Sequence, residues 1–179
     1  ELETLNPAYE GRLAADERLV IPFRREDGLL TGVTGRAMGN SSLRYATLRI
    51  TDDPLIYGLD RVERGKTIYV VEGPIDSMFL SNAIAAGGTD FTRALYDLSG
   101  ENVVLIFDNQ PRNKQVVKRV ESLAQDGYAM VVWNSKWTNK DINDAVLSGS
   151  SISQIEHILN KSTFKGLALK LAIRDWKKC

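Results

Sequence analysis

Cysteine and histidine are all but missing from this chain, which holds only Cys179, its last residue, and His157. A disulfide framework is thereby excluded, and so is a zinc site made within the chain. The metal chemistry that remains belongs to carboxylates, which favour Mg²⁺, with Mn²⁺ as a substitute. Long apolar runs are lacking too. Nothing approaches the roughly 20 residues of a membrane span, and no signal peptide precedes the first domain, so no membrane association is expected. Charge of one sign is not in excess, because 23 basic residues match 23 acidic ones, which argues against a simple polybasic nucleic-acid binder. An initiating methionine is absent, and the opening ELETLNPAYEG reads as mid-chain; a fragment of a longer protein is expected.

What is present is 179 residues, enough for one sizeable domain, or a main domain with a smaller companion, and an ample core. The balanced charge is unevenly spread. Residues 18–49 carry six arginines against Glu26 and Asp27 and no lysine, 50–109 is strongly acidic, and 161–179 has six basic residues against Asp175 alone. Each segment singly fits an ordinary solvated face. Together, an acidic metal site flanked by basic surfaces suits a phosphate-rich substrate, whose charge metal and arginine offset jointly.

The stretch KTIYVVEGPID, 66–76, organises the rest. Its β-branched and aromatic run reads as a buried strand that stops at Glu72. Gly73 permits close backbone approach, Pro74 suits the first position of a helix over 75–81, and Asp76 falls in that helix's first turn. The pattern recurs in NVVLIFDNQPR, 102–112, where an apolar strand ends at Asp108 and Pro111 opens a helix. If both strands lie parallel in one open α/β sheet, both acids emerge at its carboxyl edge, where such folds bind ligands. Taken singly, either acid is explained by the positive end of the following helix, worth roughly 0.3–1 kcal/mol. The repetition favours a shared function.

Taken in order, 1–17 is a lead-in helix or linker. Runs 19–23 and 29–34 form a hairpin through Asp27-Gly28, and 43–50 is a further strand, in which Arg44 and Arg49 face opposite sides. From Lys66 strand and helix alternate: the Glu72 strand, a short apolar run over 83–86, a Gly87-Gly88-Thr89 turn, a helical or irregular piece over 91–98, the Asp108 strand, a helix over 112–125 and a strand over 128–133. This alternation predicts a parallel sheet covered by helices with right-handed crossovers. Val116, Val120 and Leu123 make the long helix's core stripe, with Arg112, Lys114, Lys118 and Arg119 largely elsewhere. Lys140 and Asp141 open a short helix ending near Gly149, where Asp141 reads first as a helix cap and second as an acid that reaches the same sheet edge. A helix over 152–160 is structural. The last segment sets Phe164, Leu167, Ala168, Leu171 and Ala172 on one apolar line and Leu169, Ile173 and Trp176 on a second, with packing on its own domain or docking to a partner as the two readings.

In this order VVEGPID, the GGT turn, VVLIFDN and NKDIND resemble the Toprim domain of bacterial-type DNA primases, and 19–62 resembles the basic subdomain that precedes it. VEGPIDSMFL and FDNQPRNK are most similar to primases of T4-like bacteriophages. The resemblance implies an α/β fold with a basic amino-terminal subdomain over 1–65, a Toprim domain over 66–149 and a helical segment over 150–179. It implies Glu72 and Asp108 as catalytic acids and Glu72, Asp108 and Asp141 as metal ligands, with Asp76, Gln110 and Asp144 as further ligands or their supports. Arg36, Arg44, Tyr45, Lys140 and Arg112 would hold nucleotide or template. One departure stands out: the second Toprim motif usually has two aspartates around one residue, whereas here Gln110 takes the second place. That puts a two-metal arrangement in doubt.

The chemistry implied is the making of short RNA primers on single-stranded DNA from nucleoside triphosphates, a phosphoryl transfer needing Mg²⁺ and a few carboxylates. Glu72 reads equally as a general acid or base. Tyr45, Trp137 or both are candidates to stack on bases, beside the commoner fate of buried packing. The resemblance further implies a replicative helicase as partner, a zinc-binding amino-terminal module outside this chain, and a place in the cytoplasm of a phage-infected bacterium. Two other readings stay open: another Toprim phosphotransfer enzyme such as a nuclease, and a non-catalytic module that binds DNA or helicase.

Overall fold

The computed structural model describes residues 17–87 and 90–179. Nearly all of the expected lead-in segment, and Gly88 and Thr89 of the GGT turn, lie outside the described residues. The first unit is an antiparallel sheet of β1 (Arg18–Arg24), β2 (Leu30–Ala37) and β3 (Tyr45–Arg49), in that order. Asp27-Gly28 makes the expected β1–β2 turn: Gly28 takes φ 83°, a left-handed conformation that favours glycine, and its N–H donates to the Arg25 carbonyl. A single 3₁₀ turn, Leu59–Arg61, lies on the way to the second unit.

That unit is a five-stranded sheet in the order β5-β4-β6-β7-β8. Strands β4 (Ile68–Val71), β5 (Ala83–Ala85), β6 (Val103–Ile106) and β7 (Ala129–Val131) run parallel, and β8 (Thr163–Phe164) adds antiparallel to β7. The expected helix-covered parallel sheet is therefore present, with β8 as an addition the alternation did not foretell. Helices α1 (Pro74–Ser77), α2 (Asp90–Asp97), α3 (Lys114–Gln125), α4 (Ile142–Leu147), α5 (Ile152–Ser162) and α6 (Gly166–Trp176) complete the elements of the described residues. None of the described helices is long and apolar enough to cross a membrane.

Strand β6, VVLI, is buried at every position because both sheet faces are covered. Leu105 and Val70 pack on one side with Phe91, Val120 and Leu169, from α2, α3 and α6. Ile106 and Val71 pack on the other with Ile142, Ile155 and Leu159, and with Ile21 and Phe23 of β1, which docks the antiparallel unit there. An antiparallel bridge between Tyr57 and Ala85 on β5 and an ion pair between Arg49 and Asp90, 2.6 Å long, tie the units further.

Three helix expectations are corrected. The first helix spans only Pro74–Ser77, with Pro74 at its start as expected. The long helix starts at Lys114, not at 112, because the Asn113 side chain caps it by accepting the N–H groups of Gln115 and Val116; Pro111 stands in the preceding turn. In the last segment Phe164 belongs to β8, and the core face of α6 is the second apolar line, with Leu169 fully buried while Leu167 is 73% exposed. Leu169→Ala is therefore expected to cost about 2–5 kcal/mol of stability, and Leu167→Ala less than about 0.5 kcal/mol, as read by urea denaturation; equal costs would put the wrong face inward.

Candidate active site

The carboxyl ends of β4 and β6 are adjacent and parallel, paired Val71 to Ile106, so Glu72 and Asp108 leave the sheet side by side. They line one cleft of about 610 Å³ with Asp76, Lys140, Asp141 and Asp144. The opposite wall comes from the antiparallel sheet and includes Thr34, Arg36, Arg44 and Tyr45. One wall is thus acidic and the other basic.

Asp108 accepts the Lys140 ammonium at 2.8 Å on Oδ2. The Gln110 amide N–H also donates to that oxygen, at 3.1 Å. The Gln110 carbonyl oxygen is occupied by a donor from Asn113 at 2.9 Å. Gln110 therefore supports Asp108 as a hydrogen-bond donor. Asp141 performs both roles foreseen for it. Its Oδ1 caps α4 by accepting the Asp144 N–H at 2.8 Å, while its Oδ2 lies 3.4 Å from the Lys140 ammonium.

Asp76 reaches across to the same helix start, accepting the Asn143 N–H at 2.9 Å. A Cβ on Gly73 would stand 2.7 Å from the Asp76 carboxylate, so the glycine makes room for this acid. Burial, with Asp141 and Asp108 adding repulsion, pushes the Asp76 carboxyl up to about 6. The Glu72 carboxyl is also pushed up, by burial and then by Asp108, with Arg119 opposing. The Lys140 ammonium is raised, chiefly by its hydrogen bond to Asp108.

Two supports escaped the sequence reading. Arg119 of α3 pairs with Glu72 at 3.0 Å and lies over the rings of Phe91 and Phe107, at 4.3 and 5.4 Å from their centroids. The aromatic faces and the carboxylate together hold the guanidinium. Its signal in the sequence is its place at the border of the apolar stripe of α3. Asn109 is the second. Its backbone N–H donates to the Lys140 carbonyl at 2.6 Å, its amide to the Trp137 and Asn139 carbonyls, and its Oδ1 accepts the Trp176 indole N–H at 2.9 Å. One residue thus pins the loop bearing Lys140 and Asp141 against the end of β6. No periodicity or spacing flags such a role.

On the basic wall, Arg36 and Arg44 lie 5.3 and 5.9 Å from the Tyr45 ring centre, and Arg36 hydrogen-bonds the Tyr45 hydroxyl. Tyr45 is exposed. Trp137 is buried and stacked on Trp133 with centroids 4.7 Å apart, so of the two aromatic candidates only Tyr45 presents its ring to the cleft. Arg112 is exposed and is not among the residues lining the cleft. Arg49, expected on the face opposite Arg44, pairs with Asp90.

The donor set suits an oxygen-preferring divalent cation: several carboxylates crowd one partly buried edge, and two are pushed toward protonation chiefly by burial and then by their acidic neighbours. Among the described residues no three acids already stand as a ligand cluster; the Lys140 ammonium lies by Asp108 and Asp141, and the Arg119 guanidinium by Glu72.

The raised Asp76 carboxyl fixes the sign of a stability effect. Its contribution is fully favourable below the unfolded value near 3.8 and is lost as pH rises through about 6. In chelator-treated buffer, Asp76→Asn should therefore be more stable than wild type at pH 8, by on the order of 2 kcal/mol, with the gain vanishing near pH 4. Denaturant titrations at the two pH values check this; a loss of stability at pH 8 would contradict it.

No family model matches the chain. The chain is similar to the DNA primase of Enterobacteria phage T4, with 30% identity over 181 residues that cover 99% of this chain and 52% of the phage protein. It thus spans about half the length of the curated relative it matches. Among solved structures, the RNA polymerase domain of Mycobacterium tuberculosis primase DnaG superposes with a TM-score of 0.64 at 20% identity, covering 88% of this chain and 58% of that one. A DnaG primase catalytic domain bound to single-stranded DNA gives 0.65 at 19% identity, covering 95% and 64%. At that identity the two structures establish the fold.

Proposed function

We propose that this chain, which groups in sequence and fold with the catalytic domains of DnaG- and T4-type DNA primases, makes short RNA primers on single-stranded DNA from nucleoside triphosphates. The observation that carries the reading is the single cleft between a carboxylate-bearing sheet edge and an arginine-bearing wall. Residues 1–65 would supply the basic wall, 66–149 the acids, and 150–179 the helices and last strand that finish the main sheet. A replicative helicase, a zinc-binding module outside this chain and the cytoplasm of a phage-infected bacterium belong to the same proposal.

Priming joins ribonucleotides by attack of a 3′-hydroxyl oxygen on the α-phosphorus of a triphosphate, with pyrophosphate leaving, and is catalysed mainly by positioning and charge neutralisation. Glu72, Asp108 and Asp141 would hold Mg²⁺, which when bound supplies positive charge to the phosphates. Asp76 and Gln110 act through their neighbours, Asp76 by fixing the start of α4 and Gln110 by orienting Asp108. Arg36 and Arg44 take phosphates of template or incoming nucleotide, and Tyr45 offers its exposed ring to a base. Lys140 faces the triphosphate from the acidic wall. Arg119 positions Glu72, which would serve as a ligand or, in its protonatable state, as the group that accepts the hydroxyl proton.

The test is a gel of the chain with single-stranded DNA, labelled nucleoside triphosphates and Mg²⁺. Short RNA is expected, falling roughly a hundredfold or more in Glu72→Gln and Asp108→Asn. Shortened DNA instead would identify a nuclease, and neither product, even with the zinc-binding module added back, a non-catalytic module. Arg36→Ala and Arg44→Ala should each weaken single-stranded DNA binding and flatten its salt dependence by up to about one counterion, as followed by fluorescence anisotropy.

A further inference from the structure

We infer that Lys140 is a displaceable internal counter-cation: its ammonium holds the place between Asp108 and Asp141, and a divalent cation entering there drives it out toward the triphosphate. The inference rests on the proposed metal-dependent phosphoryl transfer in this cleft and adds a step to it, namely that one lysine competes with metal and then assists the nucleotide.

The geometry carries it. The Lys140 ammonium stands 2.8 Å from Asp108 Oδ2 and 3.4 Å from Asp141 Oδ2, within the range at which both carboxylates see it as their neutralising charge. A second cation bound to the same oxygens would lie a few ångströms from it, where two positive charges repel strongly. One of them must leave, and the lysine is built to do so. Its backbone is fixed, with the carbonyl accepting the Asn109 N–H at 2.6 Å and the N–H donating to Asp144 Oδ2 at 3.3 Å. Its side chain is 52% exposed on a flexible four-carbon stem. The ammonium can therefore swing without dragging the loop and without crossing a dry interior. Lys140 lines the cleft that Arg36 and Arg44 face from the other side, so the route outward leads to where a triphosphate would sit. An arginine in its place would keep a rigid fork on Asp108; a lysine lets go.

The two roles predict effects of opposite sign in one variant. Mn²⁺ binding is measured without nucleotide, by electron paramagnetic resonance of the free ion, on wild type, Lys140→Met and Lys140→Gln. ATP binding is then measured at saturating Mn²⁺. Removing the ammonium should tighten Mn²⁺ by roughly fivefold at low salt, an advantage that shrinks as salt screens the exposed charge, and should weaken ATP several-fold. Asp108→Asn must weaken Mn²⁺ for the site to be the right one. If wild type binds no Mn²⁺, or Asp108→Asn leaves its binding unchanged, the metal-dependent reading itself falls. If Mn²⁺ binds through Asp108 but both Lys140 variants bind it equally or more weakly, displacement is overturned while that reading stands. If Mn²⁺ tightens and ATP is unaffected, the second role of the lysine is overturned. The paired substitutions guard against a packing defect, since Met keeps an unbranched stem without the charge, Gln keeps a polar end, and the stem they replace is half-exposed.

Discussion

The constraint on which this structure depends is mutual repulsion among carboxylates confined to one sheet edge. Glu72 and Asp108 are forced together by parallel pairing of β4 with β6, and Asp76 and Asp141 join them from the first turn of α1 and the cap of α4. Left alone, such a group would protonate or push its elements apart. Each acid instead has its own compensation: Arg119 for Glu72, Lys140 for Asp108 and Asp141, and the backbone N–H groups of Asn143 and Asp144 for Asp76 and Asp141. Burial first, and then the neighbouring acids, still hold the Glu72 and Asp76 carboxyls above their ordinary values. An edge that remains short of positive charge is an edge ready to take up a cation.

Holding the acids at fixed spacing is the work of side chains that touch nothing in the cleft. Asn109 ties the 137–140 loop to the end of β6 and to Trp176 of α6. The Trp133 indole N–H donates to the Phe107 carbonyl at 2.7 Å, and Trp137 stacks on Trp133, so the backbone either side of Asp108 is braced by the aromatic layer beneath it. The carboxyl-terminal helix, remote in sequence from the acids, therefore bears on their geometry through the Trp176 hydrogen bond to Asn109 as well as through its packing on the sheet.

The main sheet was legible in the sequence because its strands are short apolar runs punctuated by Gly and Pro, and the acids were legible because both stand where such a run stops. Glu72, Asp108 and Asp141 needed only local reading, and the resemblance to Toprim domains put them in order. What could not be read was long-range. Nothing local shows that Asn109 meets Trp176, 67 positions away, or that Arg119 reaches Glu72 across the sheet. Strand β8 is two residues long, too short for any period to register, and its existence is decided by the free edge of β7. For Trp137, in a polar loop, base stacking and the commoner buried packing were both open, and stacking on Trp133 decides for the core. The core face of α6 was likewise open: two apolar lines compete along that helix, and only the neighbour it packs against decides between them.

Both flanks of the main sheet end in a brief antiparallel contact, β8 along β7 on one side and the Tyr57 bridge along β5 on the other. Gly58 next to that bridge takes φ 84°, and a Cβ there would meet the Ala83 carbonyl at 2.8 Å, so the chain is bent tightly against the strand it covers. Short antiparallel covers of this kind blunt the open edges through which sheets from separate molecules join. A strand lent by another molecule would thus meet only shortened edges on this main sheet.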